Sequence, residues 1–182
     1  MKKVVVFLAP GFEEIEAITV IDVLRRAEVA VTVAGLQAGP VTGSHAITVQ
    51  PDTTLDQVRP EDVDMVVLPG GLPGSDHLRE DTRVREFITR MDEAGKFTCA
   101  ICAAPTVLHA AGIVRKRAIT SHPFVREALA KLNYREDRVV VDGTMVTSRG
   151  PGTALEFSLE LVTLLRGADT ANTLAASMLA RR

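Results

Sequence analysis

Three short stretches, Lys3 to Leu8, Met65 to Leu68 and Phe97 to Ile101, are apolar at almost every position rather than at every second one. A sheet with one wet face alternates apolar and polar residues, so unbroken runs describe strands covered on both faces, as in a parallel sheet between helices. Each run also stops abruptly. The first ends in Ala9-Pro10-Gly11-Phe12, the second in Pro69-Gly70-Gly71-Leu72-Pro73-Gly74, and the third at Cys102. With helix-like sequence between the runs, the pattern predicts an α/β fold, a three-layer sandwich around a mostly parallel sheet.

The remaining elements fit that frame. A helix from about Glu13 to Ala27 follows the first strand, and Val29 to Leu36 is a second strand. Pro40 to Asp52 alternates loosely around Gly43-Ser44 as a small hairpin or edge excursion. Helices are expected at Thr82 to Ala94, Phe124 to about Leu132, Thr153 to Leu165 and Ala168 to Leu179. Ala118 to Thr120 reads as a short strand, and Val139 to Val141 with Met145 to Ser148 as a hairpin. The 182 residues, 46% hydrophobic and 24% charged, suit one domain over 1–182.

A net charge of −2 supplies no basic field for nucleic acid, and no apolar run is long enough to cross a bilayer. The apolar N-terminus is interrupted by Pro10-Gly11 and then by Glu13-Glu14, so it reads as a strand rather than a signal peptide. Two cysteines with no export signal suit a reducing cytoplasm. The partners expected are small molecules or protein.

The third run carries the chemistry. After Phe97 to Ile101 come Cys102-Ala103-Ala104-Pro105, and proline fits the first turn of a helix. Cys102 therefore sits on a strand–elbow–helix turn beside unpaired backbone N–H groups, a position that predicts a thiol titrating well below a free one. The bend resembles a nucleophile elbow with sulfur in place of a serine oxygen. Cys99 makes a C-x-x-C with it, but residues three apart on a strand face opposite ways, and no further cysteine or histidine cluster completes a metal site. Cys99 reads as core.

Three other features gather at the same end of the sheet. Glu13, Glu14 and Glu16 crowd a helix start, where acids are ordinarily solvated. Glu16, however, lines up with Val20, Val23 and Ala27 on the inward stripe, where burial should raise its pKa. Gly70-Gly71 exposes backbone N–H groups that could hold an oxyanion. His122 follows the strand Ala118 to Thr120, whereas His45, His77 and His109 read as surface or packing histidines. Glu16, Gly70, Gly71, Cys102 and His122 thus each follow a strand's C-terminal end, where open α/β sheets collect ligands. No motif fixes an acid behind His122; Asp22, with Arg26 a turn further on, is the candidate for an outer layer.

Ala9 to Glu16, Val66 to Gly71, Ala100 to Pro105, Thr120 to Pro123 and Thr147 to Thr153 together resemble the ThiJ/PfpI superfamily, in the branch of the Parkinson-disease-associated protein deglycase. The resemblance runs nearly end to end. It implies a flavodoxin-like sandwich, a homodimer and no cofactor or metal. It further implies a reactive Cys102 hydrogen-bonded by a protonated Glu16, His122 near the sulfur, and an oxyanion site at Gly71 and Ala103. Animal relatives carry further cysteines and an arginine in the segment matching Gly43 to Gln50, where this chain has Gly43, His45 and Gln50, so regulation through those cysteines does not transfer.

The activity implied is that of a glutathione-independent glyoxalase or deglycase acting on small α-oxoaldehydes such as methylglyoxal, or on their early adducts. A redox-responsive chaperone or sensor working through oxidised Cys102 shares the same residues and differs in whether the reduced protein turns over. A peptidase or amidase would need an oriented Cys–His pair with an acid behind it. A flavin binder is disfavoured because the first loop presents carboxylates where a phosphate would sit. Ile15 and Ile18 project from the outer side of the first helix among Thr19, Asp22, Arg25 and Arg26, a mixed patch that predicts dimerisation through that helix. The alternative is that Val41 to Val49 folds over them.

Overall fold

A computed structural model describes residues 1–180. Strand β1 (Lys3–Leu8) lies between two parallel neighbours, β2 (Ala30–Gly35) and β6 (Met65–Leu68). Between the latter two in the chain, β3 (Val41–Thr42) and β4 (Thr48–Val49) form a separate antiparallel hairpin, and β5 (Thr53–Thr54) pairs with the end of β2. Beyond β6 lie β7 (Phe97–Ile101) and then a hairpin of β10 (Val139–Asp142) and β11 (Met145–Ser148), in which β11 runs parallel to β7. The order is β10-β11-β7-β6-β1-β2-β5, parallel except at β10. Two short strands, β8 (Ala118–Ile119) and β9 (Asn133–Tyr134), stand apart from this sheet and pair with each other.

Side chains of β1 alternate between two cores. Val4, Val6 and Leu8 pack against helices α1 (Glu14–Arg26), α6 (Ala154–Arg166) and α7 (Ala168–Ser177). Val5 and Phe7 pack against α2 (Gly74–Glu80), α3 (Thr82–Glu93) and α4 (Pro105–Ala110). This two-sided burial is what the unbroken apolar runs require. The central sheet is covered by helices on both faces, as expected. From β1 the chain adds β2 on one side and β6, β7 and β11 on the other, so strand order reverses at β1. Crossovers of one hand then place α1 on one face and α2 and α3 on the other. The crevice beyond the C-terminal ends of β1 and β6 is the topological switch point.

Several expectations are corrected. Ala118 to Thr120 contributes no strand to the central sheet, so His122 does not follow one of its strands. The helix expected over Phe124 to Leu132 is a 3₁₀ turn (Pro123–Val125) followed by the four-residue α5 (Arg126–Leu129). Glu13 and Glu14 are buried rather than solvated. Glu13 caps α1, accepting from the Glu16 N–H at 2.7 Å. Glu14 accepts from the backbone N–H of His45 at 2.6 Å and approaches His45 Nδ1 at 3.0 Å, tying the β3–β4 hairpin to the start of α1. Those hydrogen bonds hold its carboxyl below the usual range despite the opposing effect of burial. The hairpin does not cover the outer face of α1: Ile15 is 57% and Ile18 42% exposed, and Ile47 near the hairpin tip is 56% exposed.

Where β5 does not reach it, the outer edge of β2 is closed by side chains. The Asp52 carboxylate accepts from the Val33 N–H at 2.8 Å, and Arg25 bridges that carboxylate and the Val31 carbonyl. An edge capped in this way offers no template for another strand.

Candidate active site

Cys102 leaves β7 in the left-handed region, with φ of +64°. A non-glycine residue there costs about 1–3 kcal/mol unless its surroundings impose it. Here they do. Its N–H donates to the Ser148 carbonyl at the end of β11 (3.0 Å), and its carbonyl accepts from the His122 N–H (2.8 Å). The elbow is thus pinned from two sides, and the side chain, 5% exposed, projects beyond the sheet. Cys99 is fully buried in the core, and burial pushes its thiol far up, which agrees with a packing role.

Glu16 reaches the same point from the first turn of α1. Its side chain is wholly buried, Oε2 accepts from the Gly70 N–H at 2.7 Å, and Oε1 has no hydrogen-bond partner among the described residues. Burial raises its pKa to about 8, with the nearby Glu13 adding to the effect and the Gly70 and Cys102 contacts opposing it. At neutral pH Glu16 is therefore a neutral acid, able to donate a proton.

The sulfur's environment corrects the expectation of a strongly depressed thiol. Burial pushes Cys102 up, and a charged Glu16 would push it further, while backbone N–H groups of Gly71 and Ala103 pull it down. Because Glu16 keeps its proton at neutral pH, its charge is absent there. What remains is burial opposed by those two N–H donors. The resting thiol is raised, and a thiolate draws its stabilisation from these donors and the Glu16 carboxyl.

The two glycines divide their work. The Gly70 N–H is consumed by Glu16, so Gly70 is not an oxyanion donor; Gly71 and Ala103 are the residues that point N–H groups at the sulfur. The Gly70 carbonyl also accepts from the Glu13 N–H at 2.9 Å, closing the loop after β6 onto the loop after β1.

His122 is half-buried beside the elbow. Its Nδ1 accepts from the Phe124 N–H at 3.3 Å, which places the ring proton of the neutral form on Nε2, and the ring lies 4.4 Å from that of Phe124. Burial first, and the Arg149 charge second, lower its pKa. No carboxylate among the described residues orients it, so the Cys–His–acid set of a peptidase is not assembled. Asp22 and Arg26 do not surround the site. They form an exposed ion pair of 2.6 Å on the outer side of α1.

Sequence reasoning missed Ser148, whose carbonyl fixes the elbow, Glu13, whose carboxylate caps the Glu16 turn, and Arg149, whose charge acts on His122. The conspicuous run Ser148-Arg149-Gly150-Pro151-Gly152-Thr153 is the available signal for Ser148 and Arg149.

An α/β sandwich with a cysteine on a strained strand–helix elbow, facing a protonated glutamic acid across a switch-point crevice, defines a class of cysteine-nucleophile proteins. Residues 2–164 match the DJ-1/PfpI family model, and the chain belongs to that family. It is 44% identical over 181 residues to protein dj-1beta of Drosophila melanogaster, covering 98% of this chain and 97% of that one. The crystal structure of Drosophila melanogaster DJ-1beta superposes with a TM-score of 0.97 at 43% identity, covering 100% of this chain and 99% of the other. Similarity extends to the glutathione-independent glyoxalase DJR-1.2 of Caenorhabditis elegans, 38% identical over 176 residues, 95% of this chain and 94% of the relative.

Proposed function

We propose that this protein is a cysteine-dependent glyoxalase that converts small α-oxoaldehydes such as methylglyoxal, or their early adducts, to 2-hydroxy acids. The observation that carries the reading is the convergence of an acid still protonated at neutral pH and two backbone N–H donors on one strained cysteine sulfur. The name of the Caenorhabditis elegans relative supports it.

In this mechanism the Cys102 thiol gives up its proton to solvent as its sulfur adds to the aldehyde carbon, and the new oxyanion, held by the Gly71 and Ala103 N–H groups, takes a proton from Glu16 to become the hydroxyl of a hemithioacetal. Glu16, now a carboxylate, removes the hydrogen left on that carbon as a proton and returns it to the neighbouring carbonyl carbon, while the hemithioacetal hydroxyl passes its proton to that neighbour's oxygen. The first carbon is oxidised to a thioester and the second reduced to an alcohol. Water then cleaves the thioester, releasing the hydroxy acid and the thiol, and Glu16 regains from solvent the proton that the thiol had given up. The balance closes with water alone, so no external oxidant, reductant or glutathione is called for.

Lactate formed from methylglyoxal without glutathione tests it. Wild type is expected to turn over many times per Cys102, and Cys102→Ser to fall by at least about a hundredfold. A Cys102→Ser protein that kept wild-type turnover would end the proposal; a single turnover followed by an altered sulfur would favour the redox-sensor reading.

A homodimer through α1 belongs to the same reading. Ile15 and Ile18 on its outer face, with Ile47 on the hairpin that Glu14 holds, form an apolar patch bordered by charges, suited to meeting its own copy about a twofold axis. Ile15→Glu combined with Ile18→Glu is expected to give monomers in analytical ultracentrifugation and to slow alkylation of Cys102, because α1 also carries Glu16. A double variant that stayed dimeric would place the interface elsewhere.

A further inference from the structure

Away from the cysteine, a cavity of about 320 Å³ opens at the C-terminal ends of β1 and β2, on the α2 side of the loop that begins at Pro10. Its size is at the lower end for sites that hold small organic ligands. Pro10, Leu36, Pro40 and Val41 provide an apolar wall, and His77 and Glu80, one helical turn apart on α2, provide a polar one.

The chemistry of the polar wall is determined by one hydrogen bond. His77 Nδ1 lies 3.0 Å from the Pro10 carbonyl oxygen, which can only accept, so Nδ1 carries the proton. In the neutral ring Nε2 is then a bare acceptor. The Glu80 carboxylate has no hydrogen-bond or ion-pair partner among the described residues. On the α2 wall both polar groups therefore accept, Gln37, the other polar side chain on the lining, can donate as well as accept, and the only formal charge on the lining is negative. A ligand matching this wall must donate hydrogen bonds and carry positive charge, while the opposite wall takes a hydrocarbon body.

We infer that this cavity is a second binding site, separate from Cys102, for a primary ammonium ion on an apolar stem. The ammonium donates to Glu80 and to His77 Nε2, and the stem lies against Leu36, Pro40 and Val41. The site stands independently of the proposed glyoxalase activity, because none of these residues belongs to that chemistry.

Benzylammonium is the probe, with benzyl alcohol and benzoate as its neutral and anionic counterparts. Titration of the full chain followed by amide NMR is expected to give saturable, single-site shifts confined to residues 11, 36–38, 41 and 77–80, with an apparent Kd of order 1 mM. Benzyl alcohol should bind at least about fivefold more weakly, benzoate should not saturate, and Glu80→Gln should weaken benzylammonium by about the same factor. Glu80 is exposed, so that variant should keep the wild-type melting temperature, and His77→Leu provides a second probe of the acceptor. Shifts that never saturate, that lie elsewhere, that are matched by benzyl alcohol, or that survive Glu80→Gln unchanged would overturn the site.

Discussion

Replacing Glu16 by glutamine is expected to stabilise the protein at neutral pH while disabling its chemistry. The folded carboxyl titrates near 8 against an ordinary value of 4.5, and burial is the principal cause. Below pH 4.5 the group is protonated in folded and unfolded chains alike, and Glu16 exerts no pH-dependent penalty. Between 4.5 and 8 the unfolded chain releases the proton and the folded one retains it, so stability falls as pH rises, and the loss is complete above about 8. At pH 7 the loss is about 3 kcal/mol, from about 1.4 kcal/mol per pH unit. Glutamine keeps the shape and an acceptor for the Gly70 N–H but cannot ionise. Glu16→Gln should therefore unfold about 6–12 °C higher than wild type at pH 7 and at nearly the same temperature at about pH 4. Calorimetry across that range, with lactate assays alongside, reads both effects. Parallel pH profiles for the two proteins would mean that Glu16 is ionised in the fold and cannot be the proton donor. The expected outcome is a trade of stability for function.

That Glu16 stands out in the sequence reflects how burial is written in a chain. An acid on the stripe of Val20, Val23 and Ala27 must share their environment, so helical periodicity alone places it inside. Cys102 is legible for a similar reason: an apolar run that halts and resumes as a helix must turn, and its turn residue lies at the sheet's edge. What periodicity cannot carry is which donors and acceptors meet after folding. Gly70 and Gly71 look equivalent in sequence, yet one N–H faces Glu16 and the other the sulfur. The thiol's titration escapes sequence reasoning because a helix start is visible there and the burial around it is not, and α4 is only six residues long. Asp22 and Arg26 fall elsewhere for another reason. Their spacing along α1 lets them satisfy each other on the wet face, a pairing that helix spacing offers as readily as a place near the site. The short pair β8–β9 and the broken helix after His122 lack enough residues for any period to register.

The second large effect is expected at the paired glycines, where three loops approach too closely for a side chain. A Cβ on Gly70 would lie 2.5 Å from Cys102 Cβ and 2.7 Å from Glu16 Oε2. On Gly71, whose φ is +90°, it would lie 2.4 Å from the Glu13 nitrogen and 2.5 Å from the Gly11 carbonyl oxygen. The neighbours differ in kind. Around Gly70 they include side chains of the site itself, so Gly70→Ala relaxes by separating Cys102 from Glu16, at a cost of about 1–3 kcal/mol. Around Gly71 the closest atoms are backbone, and the left-handed conformation adds its own penalty, so Gly71→Ala should lose about 3 kcal/mol or more. Gly95 is also left-handed, at φ of +67°, but a methyl group placed there would meet no described atom within 4 Å beyond its neighbours in the chain. It isolates the conformational part, and Gly95→Ala should cost about 1 kcal/mol. Urea denaturation ranks the three variants. Iodoacetamide alkylation then separates packing from chemistry, because Gly70→Ala should remain folded yet alter Cys102 reactivity by more than its stability loss explains. If Gly70→Ala alkylated and produced lactate as wild type does, the close approach of these loops would not be what holds the cysteine and the acid together.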